Sequence, residues 1–447
     1  MSILSGILAA LSFPKANLSI LVWVALVPLL IEISRKKNIK GAAMSGFLFG
    51  LSFFSINLFW INTLNDYAPF FAALGFVCLV VYQSIFTALA CAAIKRFANS
   101  LLMPPIIWAS FEWIRSMGPF GVSAGDLGLT QAGNLQLIQI AYFIKVFGIT
   151  FLIVLINNSI AKYLTKPNKL NILNMALSIA LIFSVIIYGN IIIKNPASGK
   201  GITISIVQGN IPQAQKLSYK YNNEIFNIHE NMTKAAIAEK SEIIIWPESV
   251  MFLYLADEPQ YLSRIKALCA NSHLIIGSPF NAKDGNIYNS ILVFSQKGEI
   301  VFRYDKQRLV PFGEYLPFRA LLYPLLKYSN FFFDDFNPGG YASLFEINSI
   351  KFGPLVCFES TFPDLAKDRT NKGADVLLTL TNDAWFKNSS APYEHLSNAV
   401  FRAVENRKYF IQAANTGISA VIDPYGRIIA KAGIDERKVL TFKIPLP

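Results

Sequence analysis

Seven apolar runs fill the first 194 residues, at about 2–13, 18–33, 41–64, 69–94, 100–117, 136–161 and 170–193. They leave this half of the chain little choice but a bundle of membrane helices. Several reach the roughly 20 residues needed to cross a hydrocarbon core. A segment in lipid must satisfy its own backbone N–H and C=O groups, and a helix does so within itself. The first two runs are short and Pro14 lies between them. Read as two spans, they bring the expected count to seven. Residues 2–13 resemble a short signal sequence, but no basic segment precedes them and no small-residue cleavage site follows. They read as a retained first span.

Charge supports this division. Of 40 Lys/Arg and 28 Asp/Glu, residues 1–194 hold 13 and 4, and the remainder hold 27 and 24. The basic excess therefore lies in the apolar half, mostly in short loops, and speaks of membrane topology rather than nucleic acid. Arg35, Lys36, Lys37 and Lys40 follow the second run, Lys95 and Arg96 the fourth, and Lys162, Lys166 and Lys169 the sixth. The alternate loops, 65–67 and 118–134, are poor in both residues. The positive-inside rule puts the basic loops in the cytoplasm, so residues 195–447 are expected on the other side. Within the runs, Glu112 and Arg115 share a helix face. They read either as an ion pair that neutralises two costly charges or as a lipid-headgroup contact. Lys145 reads as a snorkelling or cavity-lining residue.

Residues 195–447 read as an α/β domain of about 250 residues, long enough to bury its own core. Strands are expected at 202–211, 241–246, 274–276, 290–294, 352–357, 376–381, 410–413, 420–422 and 439–444. Helices are expected at 219–239, 257–272, 363–372 and 392–408. The alternation implies layers with mostly buried strands. Phe331-Phe332-Phe333 reads either as core or as a loop dipping into the bilayer. The four cysteines, Cys78, Cys91, Cys269 and Cys357, form no CxxC and suggest no disulfide framework.

Cys357 ends one of the expected strands. Glu248 follows another in Trp246-Pro247-Glu248, and Lys306 sits in Tyr304-Asp305-Lys306. A thiol is nucleophilic only as thiolate, so it needs a base or a positive neighbour. Glu248 can take its proton, and Lys306 can stabilise first the thiolate and then an oxyanion. No histidine has a context that suggests Cys/His catalysis. Taken singly, each residue has an ordinary structural reading: a core cysteine, a helix-cap neighbour, a surface lysine. Together they form a thiol acyl-transfer set.

These contexts, with Leu309-Val310-Pro311-Phe312-Gly313-Glu314-Tyr315 and Cys357-Phe358-Glu359, resemble the nitrilase superfamily. Val207-Gln208-Gly209-Asn210-Ile211-Pro212-Gln213, Thr381-Asn382-Asp383-Ala384-Trp385-Phe386 and the polytopic first half narrow the likeness to apolipoprotein N-acyltransferases. The resemblance implies an αββα sandwich, joined to a polytopic helical membrane domain and held on the periplasmic face of the inner membrane. It implies that Cys357 takes an acyl chain from a phospholipid, typically phosphatidylethanolamine, as a thioester. The chain then passes to the N-terminal amine of a diacylglyceryl-cysteine apolipoprotein. It implies Glu248 as base, Lys306 as oxyanion partner, Cys357 as nucleophile and Glu314 and Glu359 as supporting carboxylates. Trp385 and Phe358 would lie near substrate, with no metal or cofactor, in a monomer.

The sequence departs from the family pattern in four places. Phe358 stands where Tyr is frequent, and Leu217 where Trp is frequent. Val122-Ser123-Ala124-Gly125 replaces an aromatic stretch. The sequence ends at Pro447, where relatives usually continue into a further membrane helix. Two other functions are open to such a chain: a membrane-tethered amidohydrolase that resolves the thioester with water, and a polytopic transporter or scaffold carrying an inactive domain.

Overall fold

A computed structural model describes residues 1–193, 201–321 and 335–445. The aromatic triplet 331–333 lies outside the described residues. The chain divides into two compact units, Met1–Lys194 with Ser389–Glu405, and Asn195–Asn388 with Asn406–Pro447.

The first unit is helical. Among the described residues, four helices are long and apolar enough to cross a membrane: Ile39–Asn57, Pro69–Arg96, Ala141–Thr165 and Lys169–Ile192. The remaining apolar runs form shorter pieces. Ser2–Leu11 has 10 residues, about 15 Å of helix, and Met103–Arg115 has 13. The run 18–33 breaks into a 3-10 turn at Ser19–Leu21 and helices Val22–Ala25 and Val27–Arg35. Asn157, fully buried on the helix Ala141–Thr165, repairs that break. Its Oδ1 accepts from Leu26 N–H at 2.8 Å and its Nδ2 donates to the Val22 carbonyl at 2.9 Å. A broken helix is tolerated in an apolar setting only with such a partner.

The charged residues of this unit pair differently from the sequence reading. Arg115 bonds Asp126 at 2.5 Å. Glu112 instead accepts from Trp108 Nε1 and Leu127 N–H, both at 3.1 Å, and from Thr150 Oγ1 at 2.6 Å. Lys145 takes a left-handed φ of 59° that kinks its helix. Its Nζ donates to the Glu405 carbonyl at 3.2 Å, and the Glu405 carboxylate accepts from Val146 N–H at 2.8 Å.

Among its described residues, the second unit holds two six-stranded sheets. The first contains β1 (Gly201–Gln208), β2 (Ile243–Ile245), β3 (His273–Asn281), β4 (Ile287–Phe294), β5 (Ile300–Asp305) and β12 (Lys438–Pro445), in the order β12-β1-β2-β3-β4-β5. The second contains β6 (Phe345–Ile347), β7 (Ile350–Val356), β8 (Val376–Thr381), β9 (Tyr409–Ala414), β10 (Ser419–Ile422) and β11 (Ile428–Ala432), in the order β11-β10-β9-β8-β7-β6. The centre of each sheet is parallel: β1–β2–β3 in the first, β7–β8–β9 in the second. Parallel neighbours need crossovers. These carry the helices Asn222–Ala238, Pro259–Leu268, Pro363–Asn371 and Ala391–Asn406. The last of these belongs largely to the first unit.

One buried cluster joins Ile204, Ile245 and Val293 of the first sheet to Leu378, Ile411 and Val421 of the second. Another packs Ile244, Trp246 and Leu274 against Phe226 and Ile265 of the helices outside the first sheet. Apolar residues therefore lie on both faces of the central strands, which is why those segments read as continuous apolar runs.

Candidate active site

Glu248, Lys306 and Cys357 sit beyond the ends of β2, β5 and β7, and the fold brings all three together. The Trp-Pro-Glu segment is fixed by its tryptophan. Trp246 is fully buried, and its indole N–H donates to Thr233 Oγ1 at 2.8 Å. Gly277 on β3 then allows the Glu248 segment to pass close by. A Cβ there would lie 2.4 Å from the Pro247 carbonyl oxygen and 2.6 Å from Glu248 Cα. Cys357 follows β7 with φ of 50°, a left-handed conformation on a non-glycine residue. Such strain persists only where the surroundings enforce it, often at functional turns.

Lys306 is 1% exposed. Its Nζ reaches Glu314 Oε1 and Oε2 at 2.9 and 2.8 Å, and lies 3.9 Å from Glu248 Oε1. Glu314 also accepts from Val310 N–H at 2.8 Å. Asn289 on β4 bridges the two carboxylates, its Nδ2 donating to Glu248 Oε1 at 2.7 Å and to Glu314 Oε1 at 2.8 Å. The Thr381 hydroxyl is 3.3 Å from Cys357 Sγ and 3.0 Å from Asp383 Oδ1.

These neighbours set the resting charges. Burial pushes the Glu248 carboxyl up; Lys306 opposes this, and Glu314 adds to it. Burial also lifts the Cys357 thiol well above its usual range, with the Glu248 charge adding and Lys306 opposing. The resting sulfur is therefore protonated, and a base of raised affinity stands beside it. Burial alone would lower the Lys306 ammonium, but the Glu314 and Glu248 carboxylates outweigh it and hold it charged.

Glu359 is turned away from this chemistry. Fully buried, it accepts from Val356 N–H at 2.7 Å, Gln307 N–H at 2.7 Å, Arg308 N–H at 3.0 Å and the Tyr304 hydroxyl at 2.8 Å. It ties the turn bearing Cys357 to the segment just after Lys306. Phe358 is half-buried and stacks edge-on against Phe362 with centroids 4.7 Å apart. Trp385, also half-buried, lies in the 3-10 turn Asp383–Phe386.

Two sequence motifs meet beside the site. Asn415 donates to the Ile211 carbonyl at 2.8 Å and to Asn382 Oδ1 at 3.1 Å, and Asn382 Nδ2 donates to Gln213 Oε1 at 2.9 Å. The segment after β1 is thereby joined to the one after β8. This contact brings in a charged group that the sequence reading missed. Lys216 ends the short helix Gln213–Lys216 and is 3% exposed. Its Nζ donates to the Glu248 carbonyl oxygen at 3.1 Å. Asn289 was missed too, because the strand expected at 290–294 stopped one residue short of it.

Two family models match separate stretches of the chain. Residues 203–447 match the carbon-nitrogen hydrolase family and residues 5–159 match the apolipoprotein N-acyltransferase N-terminal domain. The apolipoprotein N-acyltransferase of Geobacter metallireducens is 36% identical over 465 residues, covering 100% of this chain and 89% of that one. That of Aquifex aeolicus is 31% identical over 455 residues, covering 98% and 97%. A solved structure, Saccharomyces cerevisiae Nit3 of the nitrilase superfamily, is 19% identical, with a TM-score of 0.43, and covers 56% of this chain and 93% of its own.

Proposed function

The chain belongs to the apolipoprotein N-acyltransferase family, and from that premise we propose how its residues carry out acyl transfer. The protein is an acyltransferase of lipoprotein maturation with a nitrilase-fold domain and membrane helices. The observation that carries the mechanism is the grouping of one thiol, one base and one fixed ammonium within a single buried cluster.

In the first half-reaction Glu248 takes the Cys357 proton, and the sulfur attacks a phospholipid ester carbonyl. The Lys306 ammonium, held by Glu314, faces the oxyanion of the tetrahedral adduct. The C–O bond breaks, Glu248 returns the proton to the departing lysophospholipid oxygen, and a thioester remains on Cys357. In the second half-reaction the N-terminal amine of a diacylglyceryl-cysteine attacks that thioester, forming the amide and releasing the thiol. Phosphatidylethanolamine is the proposed donor, and a monomer in the inner membrane with the site on its periplasmic side is the proposed setting. Trp385 and Phe358 are the proposed substrate contacts.

Cys357→Ser replaces the thiol with a hydroxyl that is far harder to deprotonate. With a phospholipid and a synthetic diacylated lipopeptide, it should yield no triacylated product by mass spectrometry, whereas Cys91→Ser should remain active. Wild-type yield from Cys357→Ser would refute the mechanism. Free fatty acid as the main wild-type product would favour the amidohydrolase reading instead.

A further inference from the structure

The two half-reactions differ by one proton, and the site contains a second basic group with no part in the scheme above. Ester to thioester is neutral: the proton leaving Cys357 ends on the lysophospholipid. Thioester to amide is not neutral. The acceptor's α-amino group has an ordinary pKa of about 7.7–8.0, so it arrives largely as an ammonium at neutral pH. It must lose two protons to become an amide nitrogen. Only one of them is needed to restore the thiol of Cys357. Glu248 can carry that one, and the other needs a different base.

Resting on the acyl-transfer reading above, we propose that Lys216 is that base. Its neutral amine takes the first proton from the acceptor ammonium. The freed nitrogen lone pair attacks the thioester carbonyl, with Lys306 facing the oxyanion. The nitrogen then gives its second proton to Glu248. As the C–S bond breaks, Glu248 protonates the leaving sulfur. Lys216, now an ammonium, releases its proton to solvent when product leaves.

Three observations carry the proposal. Lys216 is buried within the site rather than on its rim, and its Nζ is held 3.1 Å from the backbone oxygen of the general base itself. That bond uses one N–H and leaves the amine nitrogen's lone pair available when the group is neutral. Its segment is locked to the strand end carrying Thr381 through the Gln213–Asn382 bond of 2.9 Å. Burial, against the nearby carboxylate, favours a neutral form. Burial is the largest influence and lowers the amine to about 7, although Glu248 and Cys357 pull it upwards. The other ionisable groups around it are His229, itself held neutral by burial and sensitive to the Lys216 charge, and Arg437 beside His229. Beyond Glu248 lie Lys306 and Glu314. Lys306 cannot serve, because the Glu314 and Glu248 carboxylates keep it protonated.

The test uses the purified full chain with Lys216→Met and Lys216→Arg. Thioester formation on Cys357 is followed with phospholipid alone. Discharge of the thioester is then followed with a diacylated lipopeptide across pH 6–9, and with hydroxylamine, which is already neutral at pH 7. Both variants should form thioester within about threefold of wild type. Both should discharge to the lipopeptide roughly 10-fold more slowly at pH 7, because only about a tenth of the acceptor amine is already neutral there. The deficit should shrink as pH rises through the acceptor's own pKa, and discharge to hydroxylamine should match wild type. Restored discharge in Lys216→Arg would mean that charge alone matters, and would overturn the proposal. So would an unchanged pH profile, or loss of thioester formation in both variants. Absence of thioester in the wild type would instead overturn the acyl-transfer reading.

Discussion

Two carboxylates flank the Lys306 ammonium, and the proposed mechanism gives them different tasks. Glu314 holds the ammonium through both oxygens, 2.9 and 2.8 Å away, whereas Glu248 stands at 3.9 Å and keeps its basicity. Glu314→Gln should upset this balance. Lys306 would lose its closest charge partner and draw on Glu248, while the repulsion that lifts the Glu248 carboxyl would vanish. Both changes lower the Glu248 pKa. Thioester formation requires Glu248 deprotonated, so its rate should rise with pH through a midpoint lower in the variant than in wild type. The maximal rate should fall roughly 10- to 10²-fold, because a weaker base and a misplaced ammonium face the same thiol. Rapid-quench measurement of the thioester against pH checks this. An unmoved midpoint would show that Glu314 does not tune Glu248.

Among the elements, the site depends on strand ends that meet at van der Waals contact. Gly277 is the clearest case. A methyl group there would collide with backbone at Pro247 and Glu248, at 2.4 and 2.6 Å, and backbone cannot swing aside as a side chain can. Gly277→Ala should cost about 1–3 kcal/mol, as overpacking does. It should lower thioester formation more than it lowers labelling of Cys357 by a small thiol reagent, because Glu248 moves and the thiol does not. Thermal melts with the two rate assays test this, and equal losses in both assays would contradict it.

The central strands were legible because burial on both faces leaves near-continuous apolar runs, as in Val376–Thr381, which is strand over the expected residues. β5, β6 and β11 were not. β5 carries Arg303 and Asp305, β11 carries Lys431, and β6 has 3 residues. Edge strands bury one face and lose the signal. Glu248 and Cys357 were legible because each follows such a run within a family motif, and Lys306 was legible from its motif alone. Lys216 and Asn289 were not, since a single polar residue in a turn or at a strand start looks alike whether it faces solvent or a thiol. Glu359 was visible as an important position, but its role in bonding backbone amides at 2.7 Å could be seen only once the strands were placed.

At the scale of the whole molecule, a membrane-borne helical unit accompanies a domain whose substrates, in the proposed reaction, are both lipid-anchored. The proposed orientation of the chain rests on the charge of the short loops. A reporter fused after Lys200 should be active only outside the cytoplasm, and one placed within Arg35–Lys40 only inside it. The reverse pattern would separate the catalytic domain from the proposed acceptor. The central claim concerns the sulfur of Cys357, and it is tested most directly by the mass of the peptide containing that residue after incubation of the enzyme with a phospholipid of defined acyl chains and no acceptor. The account predicts a hydroxylamine-sensitive mass increase equal to one donor acyl group, on Cys357 alone, which disappears when a diacylated lipopeptide is added and reappears on the lipopeptide's amine. An unmodified Cys357 in an enzyme that still triacylates the lipopeptide would contradict it.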